Sequence, residues 1–350
     1  MKYKVSVLFC WLIVFNFACR HPVQNEIIPV TRHLVADTVC EYPFFPTGEV
    51  ILKNGHIFMI DFFSAGKMYI YNTQTEQMDF FQTMNPNYLS MADDAEYYPE
   101  AMIQHLPLSF YHSYVDRFYQ YSLENNKVKL TRQNLKPKRS YITNVKQLNE
   151  NKYVMLGLFH AGLLGLCDNE SNEIKFFGHY PISVAIPFER PEMEQIVRSF
   201  RGSIAYSDKH SKVVYGSRSF AYLSCYRFTG KKLKFQWEKQ IVPLPATQVV
   251  DGFLESDKTV TRGGFSDVTI AGDYIFASYA QKNVSDSASE VAHSILVFNM
   301  MGNLVATFYI DYPISAIMAD VEAGIIYGIS HEEESVIVRF QFGELIVNNQ

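Results

Sequence analysis

At 350 residues the chain is long enough to bury a large core, and its net charge of −5 offers no basic face for nucleic acid or for an anionic lipid surface. Its 23 tyrosines and 27 phenylalanines favour half-buried pleated surfaces, so the composition leans towards β structure. No internal run reaches the ~18 apolar residues of a membrane-spanning helix.

The chain opens with Lys2 and Lys4, continues through an apolar stretch from Val5 to Val14, and reaches Ala18-Cys19. A charged start, a short apolar run and a small residue form a secretory signal. Ala18 before Cys19 suits a bacterial lipoprotein peptidase, which needs a small residue followed by a thiol already converted to a diacylglyceryl thioether. Asn16 and Phe17 are imperfect in that motif. The spacing therefore predicts a signal peptide over 1–18, lipidation at Cys19, a tether over 19–26 and a folded unit over 27–350. An ordinary signal peptide that contains a cysteine is the alternative. Cys10 leaves with the signal, and Cys40, Cys167 and Cys225 remain. That odd number argues against a full disulfide framework, leaving either buried thiols or one bridge.

Past the tether, one pattern recurs: an aromatic or aliphatic strand, a polar turn and a second strand. Six copies run Tyr69–Asn72 to Met78–Phe81, Tyr119–Ser122 to Val128–Leu130, Leu164–Cys167 to Ile174–Phe177, Tyr226–Phe228 to Leu233–Phe235, Leu296–Asn299 to Leu304–Phe308, and Val338–Phe340 to Leu345–Val347. The turns are rich in Asn, Asp, Gly and Ser, which supply hairpin dihedrals. Most copies follow a further hairpin, such as Asn54–Asp61 or Gly272–Ala277. The second copy's preceding strands are the least distinct, within Met102–Ser113. Tyr71, Tyr121, Leu166, Phe228, Phe298 and Phe340 align at steps of about 40 to 70 residues, mostly the size of one propeller blade. Sheets apolar on both faces must stack on their neighbours. The pattern predicts an all-β, six-bladed β-propeller with four-stranded antiparallel blades. Either Ile27–Leu34 or Leu345–Val347 adds the outermost strand of the last blade and closes the ring. Pro191–Phe200 has helical spacing, and Val284–Glu290 reads as an exposed loop.

The stretches Arg201–Tyr206, Arg262–Val268, Tyr274–Tyr279 and Val297–Asn303, with Asp311 and Asp320 around Ile317, carry a likeness. Through them the chain resembles the TolB-like six-bladed β-propeller lipoproteins of Bacteroides and their relatives. The resemblance implies the fold and an envelope address, and it carries over no catalytic residue.

No Gly-x-Ser-x-Gly, His-Glu-x-x-His, Cys-x-x-Cys, P-loop or dinucleotide fingerprint occurs, so no catalytic, cofactor or metal residue is assigned. Seven residues are candidates for binding. Asp61, Asp267 and Asp320 flank inner strands, where they either converge on the channel mouth or cap turns. Arg201, Arg262, Gly263 and Gly264 either hold a carboxylate or sugar hydroxyl, or make a tight turn into an inner strand. Tyr97–Glu100, Phe110–His112 and Phe188–Pro191 offer stacking surface if they reach one rim. The expectation is a non-catalytic binding or scaffold lipoprotein that contacts a peptide, protein or glycan through one propeller face and the membrane through its lipid. The alternatives are a glycan-acting hydrolase or lyase with residues gathered from several blades, and a purely structural envelope protein. Residues 20–26 lack an acidic cluster resembling a surface-export signal, which favours the periplasmic face of the outer membrane.

Overall fold

A computed structural model describes residues 29–42, 50–61, 67–82, 142–157, 161–168, 173–181, 200–244, 263–281, 291–331 and 335–344. It also describes residues 159, 170–171, 247–250, 253–256 and six short strands between 102 and 133. The chain is a β-propeller built from antiparallel sheets. Among the described residues no helix is long and apolar enough to cross a membrane.

The first sheet is Ile51–Lys53, His56–Asp61, Lys67–Asn72 and Gln77–Gln82. The second is Met102–Ile103, Leu108–His112, Arg117–Tyr121 and Thr131–Gln133. The third is Ile142–Asn149, Lys152–Gly157, Leu164–Asp168 and Glu173–Phe177, and the fourth is Gly202–Ser207, Lys212–Ser217, Tyr222–Phe228 and Leu233–Gln240. The fifth contains Phe265–Ala271, Tyr274–Tyr279, Ala292–Asn299 and Leu304–Ile314. The sixth contains Ala316–Asp320, Ile325–Ser330 and Val336–Gln341. The first strands of sheets two to six lie side by side in order, and that of the sixth returns beside that of the first.

Three expectations are corrected. Six four-stranded blades were expected, but five sheets have four strands and the fifth in chain order has five, because Val30–Leu34 adds to it in parallel. Ring closure also differs. Ala36–Glu41 pairs antiparallel with Val336–Gln341 as the outer strand of the sixth sheet, while Val30–Leu34 lies on the neighbouring sheet. Leu345–Val347 lies outside the described residues. In the second sheet the outer strand is Thr131–Gln133, not Val128–Leu130, because the intervening Leu123–Glu124 and Lys127–Val128 pair with each other. Pro191–Ser199 and Val284–Glu290 are likewise outside the described residues.

The packing follows from residues whose neighbours face opposite ways. Val213 and Tyr215 point into a core shared with Val154, Leu156 and Leu166 of the third sheet. Val214 between them points into the core shared with Val268, Ile275 and Leu296 of the fifth. All three are fully buried. A sheet covered on both faces reads as a continuous apolar run, as in Lys152–Gly157. The outer strand Leu233–Gln240 alternates or exposes its residues because no further strand covers it. The same interleaving joins the fifth sheet to the sixth and the sixth to the first. Cys40, Cys167 and Cys225 are free thiols, and burial pushes the Cys225 thiol up to about 12.

Candidate functional site

The polar centre lies on the axis, where first strands of neighbouring sheets meet. Asp267 is the third residue of Phe265–Ala271. A β-bulge between Phe265 and Asp267 inserts Ser266 into the pairing with Tyr274–Tyr279. Ser278 fills the bulge: its Oγ accepts from the Asp267 amide at 2.9 Å and donates to the Asp267 carbonyl at 3.0 Å. Ser266 Oγ lies 2.7 Å from Ser278 Oγ. Bulges redirect side chains, and this one sets the Asp267 carboxylate inward.

Three donors hold that carboxylate. Ser203 Oγ of the fourth sheet donates to Oδ1 at 2.6 Å. The Ile317 amide of the sixth donates to Oδ2 at 3.0 Å, and the Val268 amide donates to Oδ1 at 2.8 Å. One side chain therefore ties three consecutive sheets together at the axis. Lys146, 5% exposed on the first strand of the third sheet, joins the cluster from the other side. Val50, Ala205, Tyr206, Thr269 and Ile270 complete the lining of a cavity of about 10 Å³. That is room for one water.

Burial raises the Asp267 carboxyl above its ordinary value, while Ser203, the Ile317 amide and Lys146 pull the other way. Burial pushes the Lys146 ammonium down to about 7, against the opposing attraction of Asp267. The unfolded chain therefore holds the Lys146 proton more tightly than the folded chain between about 7 and the ordinary 10.5. Stability from this group rises with pH across that window. Relative to Lys146→Met, the parent protein should gain up to about 1.4 kcal/mol per pH unit from pH 7 to 9 in urea unfolding. Parallel pH profiles for the two proteins would contradict the burial argument.

Of the other candidates, the described ones lie elsewhere. Asp320 ends the first strand of the sixth sheet and caps its turn, accepting from the Ala323 amide at 3.0 Å. Asp61 ends His56–Asp61, and its side chain is outside the described residues, as are Cys19 and Arg262. Arg201 precedes Gly202–Ser207, and its carbonyl accepts from the Arg218 amide at 2.8 Å. Gly263 and Gly264 are buried where the fifth sheet meets the fourth. The Gly264 amide donates to the Arg218 carbonyl at 2.9 Å and its carbonyl accepts from Ala280 at 3.0 Å, so both of its backbone groups are engaged. Tyr97–Glu100 and Phe188–Pro191, and the side chains of Phe110–His112, lie outside the described residues. Lys146 and Ser203 were missed as site residues. The available signal for Lys146 was a lone cation between Val145 and Leu148 in an inward-facing strand.

No family model matches the sequence, and no curated protein matches it. Solved structures do resemble the fold. A luciferin-regenerating enzyme is similar at 10% identity over 88% of this chain and 95% of its own, with a TM-score of 0.51. A DUF4221 family member from Bacteroides vulgatus is similar at 11% identity over 91% of this chain and 98% of its own, also with a TM-score of 0.51. At such identities the likeness is one of fold alone.

Proposed function

We propose that this chain is a non-catalytic binding or scaffold lipoprotein of the bacterial cell envelope, related to the TolB-like six-bladed propellers, with all of its large sheets serving as blades. It contacts a peptide, protein or glycan through one propeller face. The observation that carries this reading is the narrowness of the polar centre among the described residues. Among the described residues the polar centre leaves only about 10 Å³, too little to seat a sugar ring between Lys146 and Asp267. Recognition is then left to the surface of a face. The alternative glycan-acting enzyme draws on one observation, the Lys146 amine poised at about 7, where a general base works best.

Two measurements test the reading. Mature protein immobilised on beads should capture a defined envelope partner from membranes, identified by mass spectrometry. Lys146→Met should leave that capture unchanged; glycan turnover lost in the same variant would replace binding with catalysis. The address is tested by Cys19→Ser, which should move the protein out of the membrane fraction and abolish palmitate labelling. Unchanged labelling in that variant would remove the anchor.

A further inference from the structure

Residues 30–41 lie across two sheets as a strap. Val30–Leu34 pairs in parallel with Leu304–Ile314 of the fifth sheet, and Ala36–Glu41 pairs antiparallel with Val336–Gln341 of the sixth. Val35, 74% exposed, is the single residue between the two pairings. Past Glu41 the chain is pinned. Tyr42 is 5% exposed, and its amide donates to the Ser335 carbonyl at 2.9 Å.

The strap is held differently from the strands it covers. Of its residues only Leu34 is buried, in the apolar core that Phe308, Phe340 and Phe342 also line. Its other side-chain fasteners are polar and open to water. Arg32 donates to the Phe342 carbonyl and, at 3.3 Å, to that of Glu344. Asp311 Oδ1 accepts from the Ala36 amide at 2.8 Å. Arg339 donates to Asp37 and, at 3.1 Å, to Glu76 of the first sheet. Exposed ion pairs of this kind contribute little to stability. A bulge between Thr38 and Cys40 interrupts the ladder. The closing seam of the ring does not rest on the strap. There Met318, Tyr327, Ile329 and Ile337 of the sixth sheet share a core with Ile57, Met59 and Tyr71 of the first, and the strap adds only the partly buried Val39 and Cys40.

We propose that residues 30–41 are a releasable strap over a strand-accepting edge, hinged at Tyr42, and that this edge takes up an extended peptide in the strap's place. Lifting the strap leaves Leu304–Ile314 and Val336–Gln341 as outer strands, each with a row of unpaired backbone groups. Four strands of the fifth sheet and three of the sixth remain. The strap's own pattern defines the peptide. It needs a cation at the place of Arg32 for the two carbonyls, an apolar residue at that of Leu34, and a carboxylate at that of Asp37 for Arg339. This site lies on the outer edge of the ring, so it goes beyond binding through a propeller face and stands independently of it.

Hydrogen exchange read by mass spectrometry should find residues 30–41 exchanging at least about 100-fold faster than Ile325–Ser330, as a separately opening element does. A labelled synthetic peptide of residues 29–42, with serine in place of Cys40, probes the edge. The tethered strap competes at high effective concentration, so the parent protein should take up little peptide. Arg32→Gln with Asp37→Asn loosens the strap and leaves the edge intact, and should raise uptake at least about tenfold. The same peptide carrying Leu34→Asp should not bind. Asp37→Cys with Arg339→Cys, made in a Cys40→Ser chain, joins two partners of the register by a disulfide. Its oxidised form should take up no peptide, and reduction should reopen the edge. Unfolding midpoints check that each variant is folded. Strap amides as protected as those of Ile325–Ser330, no gain in uptake on loosening, or uptake by the oxidised form overturns the proposal.

Discussion

Asp267→Ala is expected to lower the unfolding free energy by about 3–5 kcal/mol, the cost of breaking a buried charge cluster from one side. The carboxylate accepts from Ser203 Oγ, the Ile317 amide and the Val268 amide. Its removal leaves those donors facing a void, each unmet buried group costing about 1–3 kcal/mol. It also removes the carboxylate charge that favours the Lys146 ammonium, in surroundings that already push that ammonium down to about 7. Asp267→Asn keeps one acceptor oxygen and the side-chain shape, so its cost should be smaller.

The decisive comparison is the double variant Asp267→Ala with Lys146→Met. If the two groups are coupled, the double variant should be more stable than the sum of the single losses predicts. Replacing both members of a buried pair removes the desolvation penalty along with the attraction. Urea unfolding of the parent, the two single variants and the double variant measures the coupling. A cost for Asp267→Ala below about 1 kcal/mol, or strictly additive losses, would show that the axis is not held by this cluster.

What was legible in the sequence follows from the range over which each signal acts. Hairpins are local objects. Leu164–Cys167 with Ile174–Phe177, and Leu296–Asn299 with Leu304–Phe308, were readable because alternation and turn residues lie within a dozen positions. Ring closure is not local. Ala36–Glu41 pairs with a strand some 300 residues away, and nothing in its own sequence separates it from Val30–Leu34, which pairs elsewhere. The second copy was placed in the wrong register because Leu123–Glu124 and Lys127–Val128 consume the polar turn in a small hairpin of their own.

The site shows the same division. Asp267 was visible as a carboxylate near an inner strand, but its role depends on a bulge created by Ser266 and on partners in two other sheets. Lys146 lies about 120 positions away in the chain, and only the propeller's circular geometry brings it to the axis. Asp320 looked equivalent to Asp267 in the sequence. It lies three residues beyond Ile317, at the end of the strand, and it serves the turn.

Gly264→Ala should be the most damaging single-methyl change among the described glycines of the fourth and fifth sheets, at about 3 kcal/mol or more. A Cβ at this position would stand 2.0 Å from the Ser217 carbonyl oxygen and 2.2 Å from that of Phe220. Both obstacles are backbone, in the loop that joins Lys212–Ser217 to Tyr222–Phe228, so no side chain can swing aside. Relief would require the fourth and fifth sheets to separate. That separation breaks the Gly264–Arg218 and Ala280–Gly264 hydrogen bonds and loosens the apolar seam around Val214, Leu223 and Phe265. Gly230 provides the contrast. Its φ is +79° and a Cβ there would meet nothing within 4 Å, so Gly230→Ala carries only the left-handed backbone penalty of about 1–2 kcal/mol. The two variants add the same methyl group to neighbouring sheets, and only one adds it into backbone. Thermal and urea unfolding of both should therefore rank Gly264→Ala well below Gly230→Ala. Equal stabilities would mean that the seam between these sheets is looser than the close backbone approach at Gly264 requires.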